Sequence, residues 1–391
     1  MLNTNFSPWP SYSTEEADAV HKVLLSNKVN YWTGNESREF EKEFAAFTGC
    51  AYAVALANGT VALDVAFKAL GIGEGDEVVV TSRTFLASVS SIVNSGARPV
   101  FADVDADSQN ISPTTIKEVI TQRTKVIVCV HLAGWPCDMD GIMALAAEYN
   151  LFVIEDCAQA HGAKYKGKSV GSIGHIGAWS FCQDKIMTTG GEGGMVTTND
   201  KLLWSKMWSF KDHGKSWAAV YETEHLAGFR WLHDSFGTNW RMIEMQAVLG
   251  RIQLKRMKEW NAKRQANAYK IWGAAREIAT LRVPSLPDYI QHAAYKCYVF
   301  VRSEGLKDGW SRDRIMDEII ADDVPCYSGS CSEVYLEKAF ENTGWRPEKR
   351  LAIAKELGET SLMFLVHPTL TEFEIQKTCD VVVKVMAKAS K

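Results

Sequence analysis

From Ala51 to Phe210 the chain alternates short apolar runs with segments of helical period, a rhythm that few architectures accommodate. Ala53–Leu56, Glu77–Thr81, Pro99–Asp103, Lys125–His131, Phe152–Glu155, Ala178–Phe181 and Met195–Thr198 read as strands. Between them, Val61–Leu70, Leu86–Asn94, Thr114–Ile120, Met139–Tyr149 and Leu202–Phe210 read as helices. The strand runs are apolar on both faces, as in a mostly parallel sheet covered by helices on each side. Gly71, Gly96 and Gly162 fall at turns. The pattern predicts a large α/β lobe over about residues 31–245.

The flanking segments carry their own signals. Ser13-Thr14-Glu15-Glu16 spells a capping box that opens a helix through about Leu25. Asn30-Tyr31-Trp32-Thr33-Gly34 reads as a loop, and Arg38–Phe47 as a helix with Phe40, Phe44 and Phe47 on one face. A helical pattern from about Met242 to Arg276 is long enough to bridge two lobes. Beyond it, Tyr295–Arg302 alternates like a strand, while Arg312–Ala321 and Glu372–Ala389 read as helices. At 391 residues the chain exceeds the size where one core stops growing. Residues 1–30 and 246–391 are therefore expected to form a smaller α+β lobe.

Charge and cysteine usage narrow the function classes. The net charge is −4 with no long basic run, which supports neither a nucleic-acid nor a membrane partner. No apolar run is long enough to span a bilayer. Met1-Leu2-Asn3-Thr4-Asn5 lacks the basic-then-apolar pattern of a signal peptide. Nine scattered cysteines, several in strand runs such as Cys129, predict buried free thiols and a cytoplasmic setting. Cys326 and Cys331 have no second pair at zinc-site spacing, so no metal is expected.

The chemistry concentrates around one lysine. Trp179-Ser180-Phe181-Cys182-Gln183-Asp184-Lys185 sets Lys185 between an apolar run and the turn Thr188-Thr189-Gly190-Gly191-Glu192-Gly193-Gly194. Upstream, Val153-Ile154-Glu155-Asp156 reads as a strand ending on an acid. A lysine amine and a strand-end carboxylate are what pyridoxal 5'-phosphate requires. The lysine holds the aldehyde as a Schiff base. The carboxylate keeps the ring nitrogen protonated, so the ring accepts electrons. Once displaced, the same lysine can move a proton; arginine cannot be deprotonated here and histidine cannot make the imine. Asn58-Gly59-Thr60, between a strand and a helix, offers backbone N–H groups and a hydroxyl to a phosphate, which Ser180 could join. Phe85 follows a strand at the carboxyl edge and can stack on a flat ring; Gln159 can donate to its hydroxyl oxygen. Taken singly, Gly59 is also a plain turn glycine, Phe85 a core residue at a helix start, and Asp156 a helix cap. The glycine-rich turn does not fit G-x-G-x-x-G, so it either lets backbone pass near the site or turns at a subunit contact.

Taken in order, these segments resemble one family. They are Asn-Gly-Thr-x-Ala-Leu (58–63), Thr-Phe-x-Ala-Ser (84–88), Glu-Asp-x-Ala-Gln-x-x-Gly (155–162), Ser-Phe-x-x-x-Lys (180–185), Thr-Thr-Gly-Gly-Glu-Gly-Gly (188–194) and Asn-Trp-Arg-Met (239–242). The chain from about residue 8 onward resembles the DegT/DnrJ/EryC1/StrS sugar aminotransferases, of aspartate-aminotransferase fold (fold type I). The resemblance implies a homodimer with active sites at the interface. It implies a pyridoxal phosphate enzyme, passing through pyridoxamine 5'-phosphate, that moves an amine from L-glutamate, released as 2-oxoglutarate. The acceptor it implies is a keto group, C4 first, of a keto-6-deoxy sugar on dTDP, UDP or GDP; a 3-keto sugar or keto-cyclitol is the alternative. By resemblance Lys185 is the Schiff-base lysine, Asp156 faces the pyridine nitrogen, Gln159 the 3-hydroxyl and Phe85 the ring face. Gly59, Thr60 and Ser180 match phosphate positions, and Asn239 a residue that the neighbouring subunit lends to that phosphate. Trp32 and Thr33 match a loop near substrate.

Some relatives carry histidine at the lysine position and dehydrate the sugar; Lys185 argues for transamination. Intact Lys185, Asp156 and Gln159 also oppose a non-catalytic regulator, and a nicotinamide dehydrogenase lacks its glycine fingerprint here. The chain departs from the family pattern by one extra glycine at 190–194. It also has Pro325-Cys326-Tyr327-Ser328-Gly329-Ser330-Cys331 where many members have Tyr-x-Pro-Leu-His. Trp204, Trp208, Trp217, Trp231 and Trp240 read either as core or as pocket lining, and His213 as structural or substrate-facing.

Overall fold

The computed structural model describes residues 5–224 and 230–391. Residues 1–4, part of the stretch read above for a leader, lie outside the described residues, as do residues 225–229. Strands β1 (Tyr52–Leu56), β2 (Glu77–Thr81), β3 (Arg98–Ala102), β4 (Thr124–Val130) and β5 (Phe152–Asp156) are followed by a short hairpin, β6 (Lys164–Tyr165) and β7 (Lys168–Ser169). Then come β8 (Ile176–Ser180) and β9 (Gly194–Thr198). All but the hairpin form one seven-stranded sheet in the order β1-β9-β8-β5-β4-β2-β3. Only β9 runs against the rest, being antiparallel to both β1 and β8. The carboxyl ends of β1, β2, β4, β5 and β8 therefore open on one edge.

The packing explains the doubly apolar strand runs. Val78 and Val80 of β2 enter one core while Val79, between them, enters another; Val126 and Val128 against Ile127 and Cys129 repeat this on β4. Both sheet faces are covered, so the middle of each of these strands is apolar throughout and polar residues fall at the ends. One expected helix is shorter than its pattern. The segment read as Thr114–Ile120 is helical only over Pro113–Lys117. Ser112 caps its start, and the β-branched run Val119-Ile120-Thr121 that follows favours an extended chain.

Five further strands are β10 (Leu281–Arg282), β11 (Ile290–Gln291), β12 (Cys297–Val301), β13 (Cys326–Tyr327) and β14 (Ser361–Phe364). Of these, only β12 falls within a segment read as a strand, Tyr295–Arg302. β11 joins the hairpin, and the others form an antiparallel sheet, β10-β12-β14-β13. That sheet has its own core with the helices Arg312–Ala321 and Glu372–Ala389. The helix Glu244–Arg276, 33 residues and so about 50 Å long, packs against Thr14–Leu25, Glu36–Thr48, Glu372–Ala389 and β12. Neighbours on several sides bury polar residues along it. Gln253, for example, accepts from the Thr188 N–H (2.8 Å) and donates to Glu16 (2.8 Å). Among the described residues, no helix is long and apolar enough to cross a membrane.

A buried charge pair ties the N-terminal helices to the large sheet. Lys211, fully buried, places Nζ 4.0 Å from Glu41 and 3.4 Å from the Tyr31 ring centroid. Glu41 accepts from the Ala55 N–H (2.9 Å) and the Tyr31 hydroxyl (3.1 Å). Burial pulls the Lys211 ammonium down to about 8 and pushes the Glu41 carboxyl up. Lys211→Met is expected to cost about 3 kcal/mol, because it strands a buried carboxylate. Adding Glu41→Gln should recover part of that loss in denaturant titrations.

Candidate active site

Four segments meet at the carboxyl edge of the large sheet. The first is the turn after β1. Asn58 caps the helix Gly59–Leu70, its side chain accepting from the Val61 N–H at 3.0 Å, and the N–H groups of Gly59 and Thr60 begin that helix. This is the polarity that favours an anion. A Cβ on Gly59 would stand 2.5 Å from Ser180 Cβ, so only glycine lets the turn close on the end of β8. A Cβ on Gly194, at the start of β9, would collide with the Asn58 carbonyl. Gly59→Ala is expected to push the turn away from Ser180. It should weaken cofactor affinity roughly tenfold, the equivalent of one charge-assisted hydrogen bond. Titrating the apoprotein with pyridoxal phosphate measures this.

The second segment ends β5. The Asp156 carboxylate is buried, accepting from Ser88 Oγ (2.8 Å) and the Ala158 N–H (3.1 Å). Burial raises its pKa, while these two donors and the nearby charges of Lys185 and His131 pull it back. It forms no ion pair among the described residues, which is a costly state for a buried carboxylate and one that a bound cation would relieve. Asp156 is thus not a helix cap. Three residues on, Gln159 Oε1 accepts from the Ala133 N–H at 2.8 Å. That bond fixes the amide orientation and leaves the Nε2 hydrogens to donate.

The third segment follows β2. Phe85 is 71 % exposed, and its ring is available to stack rather than held in the core. Its neighbour Thr84 shares a 2.9 Å hydrogen bond with Ser88, the residue that donates to Asp156. Ring face and carboxylate are therefore coupled through one short helix, Ala87–Asn94. The segment 325–331 docks here as well, since the Cys331 carbonyl accepts from the Thr84 N–H at 3.1 Å.

The fourth segment carries Lys185. Its carbonyl accepts from Trp9 Nε1 at 2.8 Å, and its side chain is 16 % exposed. Nζ stands 3.9 Å from the Asp184 carboxylate and 5.4 Å from the Tyr295 ring centroid. Its charge reaches Asp156 and also His161, a ring that burial holds neutral, at about 3.

The structure thus brings Gly59, Thr60, Phe85, Asp156, Gln159, Ser180 and Lys185 to one edge. The remaining candidates stand elsewhere. Asn239 is exposed and pairs through its backbone with Asp212; next to it, the Trp240 carbonyl accepts from the Ala57 N–H (2.9 Å) at the end of β1. Trp32 is half-buried, with Lys215 Nζ 4.1 Å from its ring and an indole N–H that has no partner. Thr33 is exposed and bonded to Asn30. His213 is exposed in a left-handed conformation, φ 60°. Trp204, Trp208, Trp217 and Trp240 pack against the large core, whereas Trp231 is 92 % exposed.

Ser88, Ala133, Trp9, Asp184 and Tyr295 were not assigned roles from the sequence. Ser88 lies inside a matched motif, so a signal existed. Tyr295 had none, because it reaches Asp184 across 111 residues. His131, Glu155 and Cys157 lie close enough together to suggest a metal site. The Glu155 oxygens, however, already accept from His131 Nε2 and from the N–H groups of Gly171, Ile173 and Gly174. The cluster is a brace for the loop before β8.

The edge offers a phosphate cradle, a carboxylate awaiting a cation, an oriented amide donor, an open aromatic face and an amine. This set fits pyridoxal phosphate. The family model described as the DegT/DnrJ/EryC1/StrS aminotransferase family matches residues 10–383. The fold is similar to the solved aminotransferase from Psychrobacter cryohalolentis, with a TM-score of 0.97 and 68 % identity over 98 % of this chain and 99 % of that one. The sequence is 37 % identical over 351 residues to the GDP-perosamine synthase of Escherichia coli O157:H7, covering 86 % of this chain and 90 % of that protein. It is 34 % identical over 388 residues to a UDP-N-acetyl-3-dehydro-alpha-D-glucosamine 3-aminotransferase of Acidithiobacillus ferrooxidans, covering 97 % and 95 %.

Proposed function

The chain belongs to the DegT/DnrJ/EryC1/StrS aminotransferase family, as a pyridoxal phosphate-dependent aminotransferase of nucleotide-sugar metabolism, and from that premise we propose its reaction and residue roles. It transfers an amino group from L-glutamate to C4 of a nucleotide-linked keto-6-deoxy sugar. The observation that carries this reading is the convergence of Lys185 and the unpaired Asp156 on one strand edge. Glutamate and C4 come from the family resemblance. Likeness to a named 3-aminotransferase over nearly the whole chain favours a 3-keto sugar as the second reading.

Bound here, pyridoxal phosphate supplies an electron sink for negative charge at the substrate carbon. The chain's residues do the rest. Asp156, held by Ser88 and the Ala158 N–H, keeps a proton on the ring nitrogen. Gln159 Nε2 donates to the ring hydroxyl oxygen. The N–H groups of Gly59 and Thr60 and the Ser180 hydroxyl bind the phosphate. Phe85 covers one ring face and excludes water. The Lys185 amine would accept and carry the proton of the substrate carbon. Asn239 completes the phosphate site of the neighbouring subunit in a homodimer. Residues 31–245 form the cofactor-binding lobe, and 1–30 with 246–391 the smaller one; the core around the second sheet supports a second lobe, while Val334, Tyr335 and Phe340 join the core of the first. Nine free cysteines support a reducing, cytoplasmic setting.

The test is the absorbance of the holoprotein with L-glutamate. Loss of the yellow band with one equivalent of 2-oxoglutarate, then its return on adding a nucleotide-linked 4-keto sugar, is the expected result. Return only with a 3-keto sugar would select the second reading. A band indifferent to every amino acid would overturn the amino-acid donor.

A further inference from the structure

Two cations close to Lys185 have no carboxylate of their own. Arg264, on the long helix, is buried with its guanidinium 4.9 Å from the Trp9 ring centroid. It makes one long contact, 3.4 Å to the Tyr295 carbonyl, and Nε and Nη2 have no partner among the described residues. Lys296 makes no hydrogen bond or ion pair among the described residues. Its Nζ stands 4.8 Å from the centroid of the Tyr295 ring, the ring that also neighbours Lys185 at 5.4 Å. Both ammonium groups thus lie against one aromatic ring.

Among the described residues two carboxylates reach this group: Asp156, within the field of Lys185, and Asp184. Asp184 accepts from the Tyr295 hydroxyl, lies 3.9 Å from Lys185 Nζ, and exerts its charge on Lys296 and Arg264. Two further titratable neighbours, His161 and His367, the latter stacked on Trp9, are held neutral, at about 3. With Asp156 assigned to the cofactor ring, three cations share the one remaining carboxylate, although buried charge is ordinarily paired. An excess of positive charge beside a reactive amine is a place for an anion.

We propose that Lys296, backed by Arg264, anchors the α-carboxylate of the amino-acid donor. This rests on the aminotransferase reading above. Reach selects the ligand. The α-carboxylate is bonded to the carbon that reacts at Lys185, so its anchor must stand beside that lysine, as Lys296 does. A nucleotide diphosphate is separated from its keto carbon by the sugar ring, and the cofactor phosphate has its own cradle at Gly59 and Ser180. The same recess must then admit a sugar with no anion at that position. Burial pulls the Lys296 ammonium down to about 8, which still leaves it cationic at neutral pH.

The holoprotein is titrated with L-glutamate, following the cofactor band. Lys296→Met should raise the half-saturating glutamate concentration roughly tenfold or more, the loss of a charge-assisted contact. The dissociation constant for pyridoxal phosphate should stay at the wild-type value, and Lys296→Arg should keep most of the glutamate affinity. A Lys296→Met protein with wild-type half-saturation, or one that loses cofactor affinity instead, overturns the proposal. Failure of the aminotransferase reading would appear in the wild type, and failure of this proposal only in the variant.

Discussion

Lys185→Ala is expected to lower turnover by roughly 10⁴-fold or more, since one side chain both holds the cofactor and moves the proton. The yellow band should be lost, while the circular dichroism and melting curve of the apoprotein stay close to wild type. The reason for that stability is geometric. Among the described residues Lys185 Nζ makes only the 3.9 Å approach to Asp184 and a 5.4 Å approach to the Tyr295 ring centroid, and the backbone of its loop is held independently by Trp9 and the Cys182 carbonyl. Lys185→Arg should fail equally, because a guanidinium does not give up its proton. A Lys185→Ala protein that turned over glutamate at the wild-type rate would remove Lys185 from the mechanism.

Asp156→Asn should produce the opposite signs in activity and stability. Turnover should fall roughly 10²–10³-fold, the scale of losing one preorganised electrostatic partner. The apoprotein should become more stable. Asn can accept from the Ala158 N–H and donate to Ser88 Oγ, whose own proton can turn to Thr84, so no bond need be lost. What disappears is the burial cost of the charge. The sign follows from the direction of the shift. Because burial raises the Asp156 pKa, the folded apoprotein holds its proton more tightly than the unfolded chain. Wild-type stability therefore declines as pH rises past about 4, the unfolded value, until the raised folded value is passed. Asp156→Asn removes that decline, so the two proteins should match in acid and diverge toward neutral pH. Pyridoxal phosphate should stabilise wild type more than the variant, since only the carboxylate gains a cation. Equal cofactor stabilisation of both, measured by thermal melts, would argue against a pyridinium partner.

The legible parts of this protein are those with local causes. The capping box at Ser13 is satisfied within three residues, so that helix start could be read directly; the caps at Asn58 and Thr371 are as local and were visible only in the structure. The short strands around the site were legible because both faces are buried, leaving a continuous apolar run at each. Lys185 and Asp156 stood out because each follows such a run. The helix at Pro113–Lys117 was overread because the apolar period continued into residues whose branched side chains favour another backbone. β10, β11 and β13 were missed because a two-residue strand has no period, only a partner.

The sequence alone therefore determined the alternation of strands and helices, the glycine turn at Gly59 and the choice of Lys185 and Asp156 as candidates, all written within short windows. Only the tertiary structure decided that Ser88 holds Asp156, that Ala133 turns the Gln159 amide outward, and that Tyr295 carries Lys296 to Lys185. It likewise decided that Arg264 is buried without a partner. Those contacts join residues far apart in the chain, and their form depends on how the long helix and the second sheet pack against the carboxyl edge of the first.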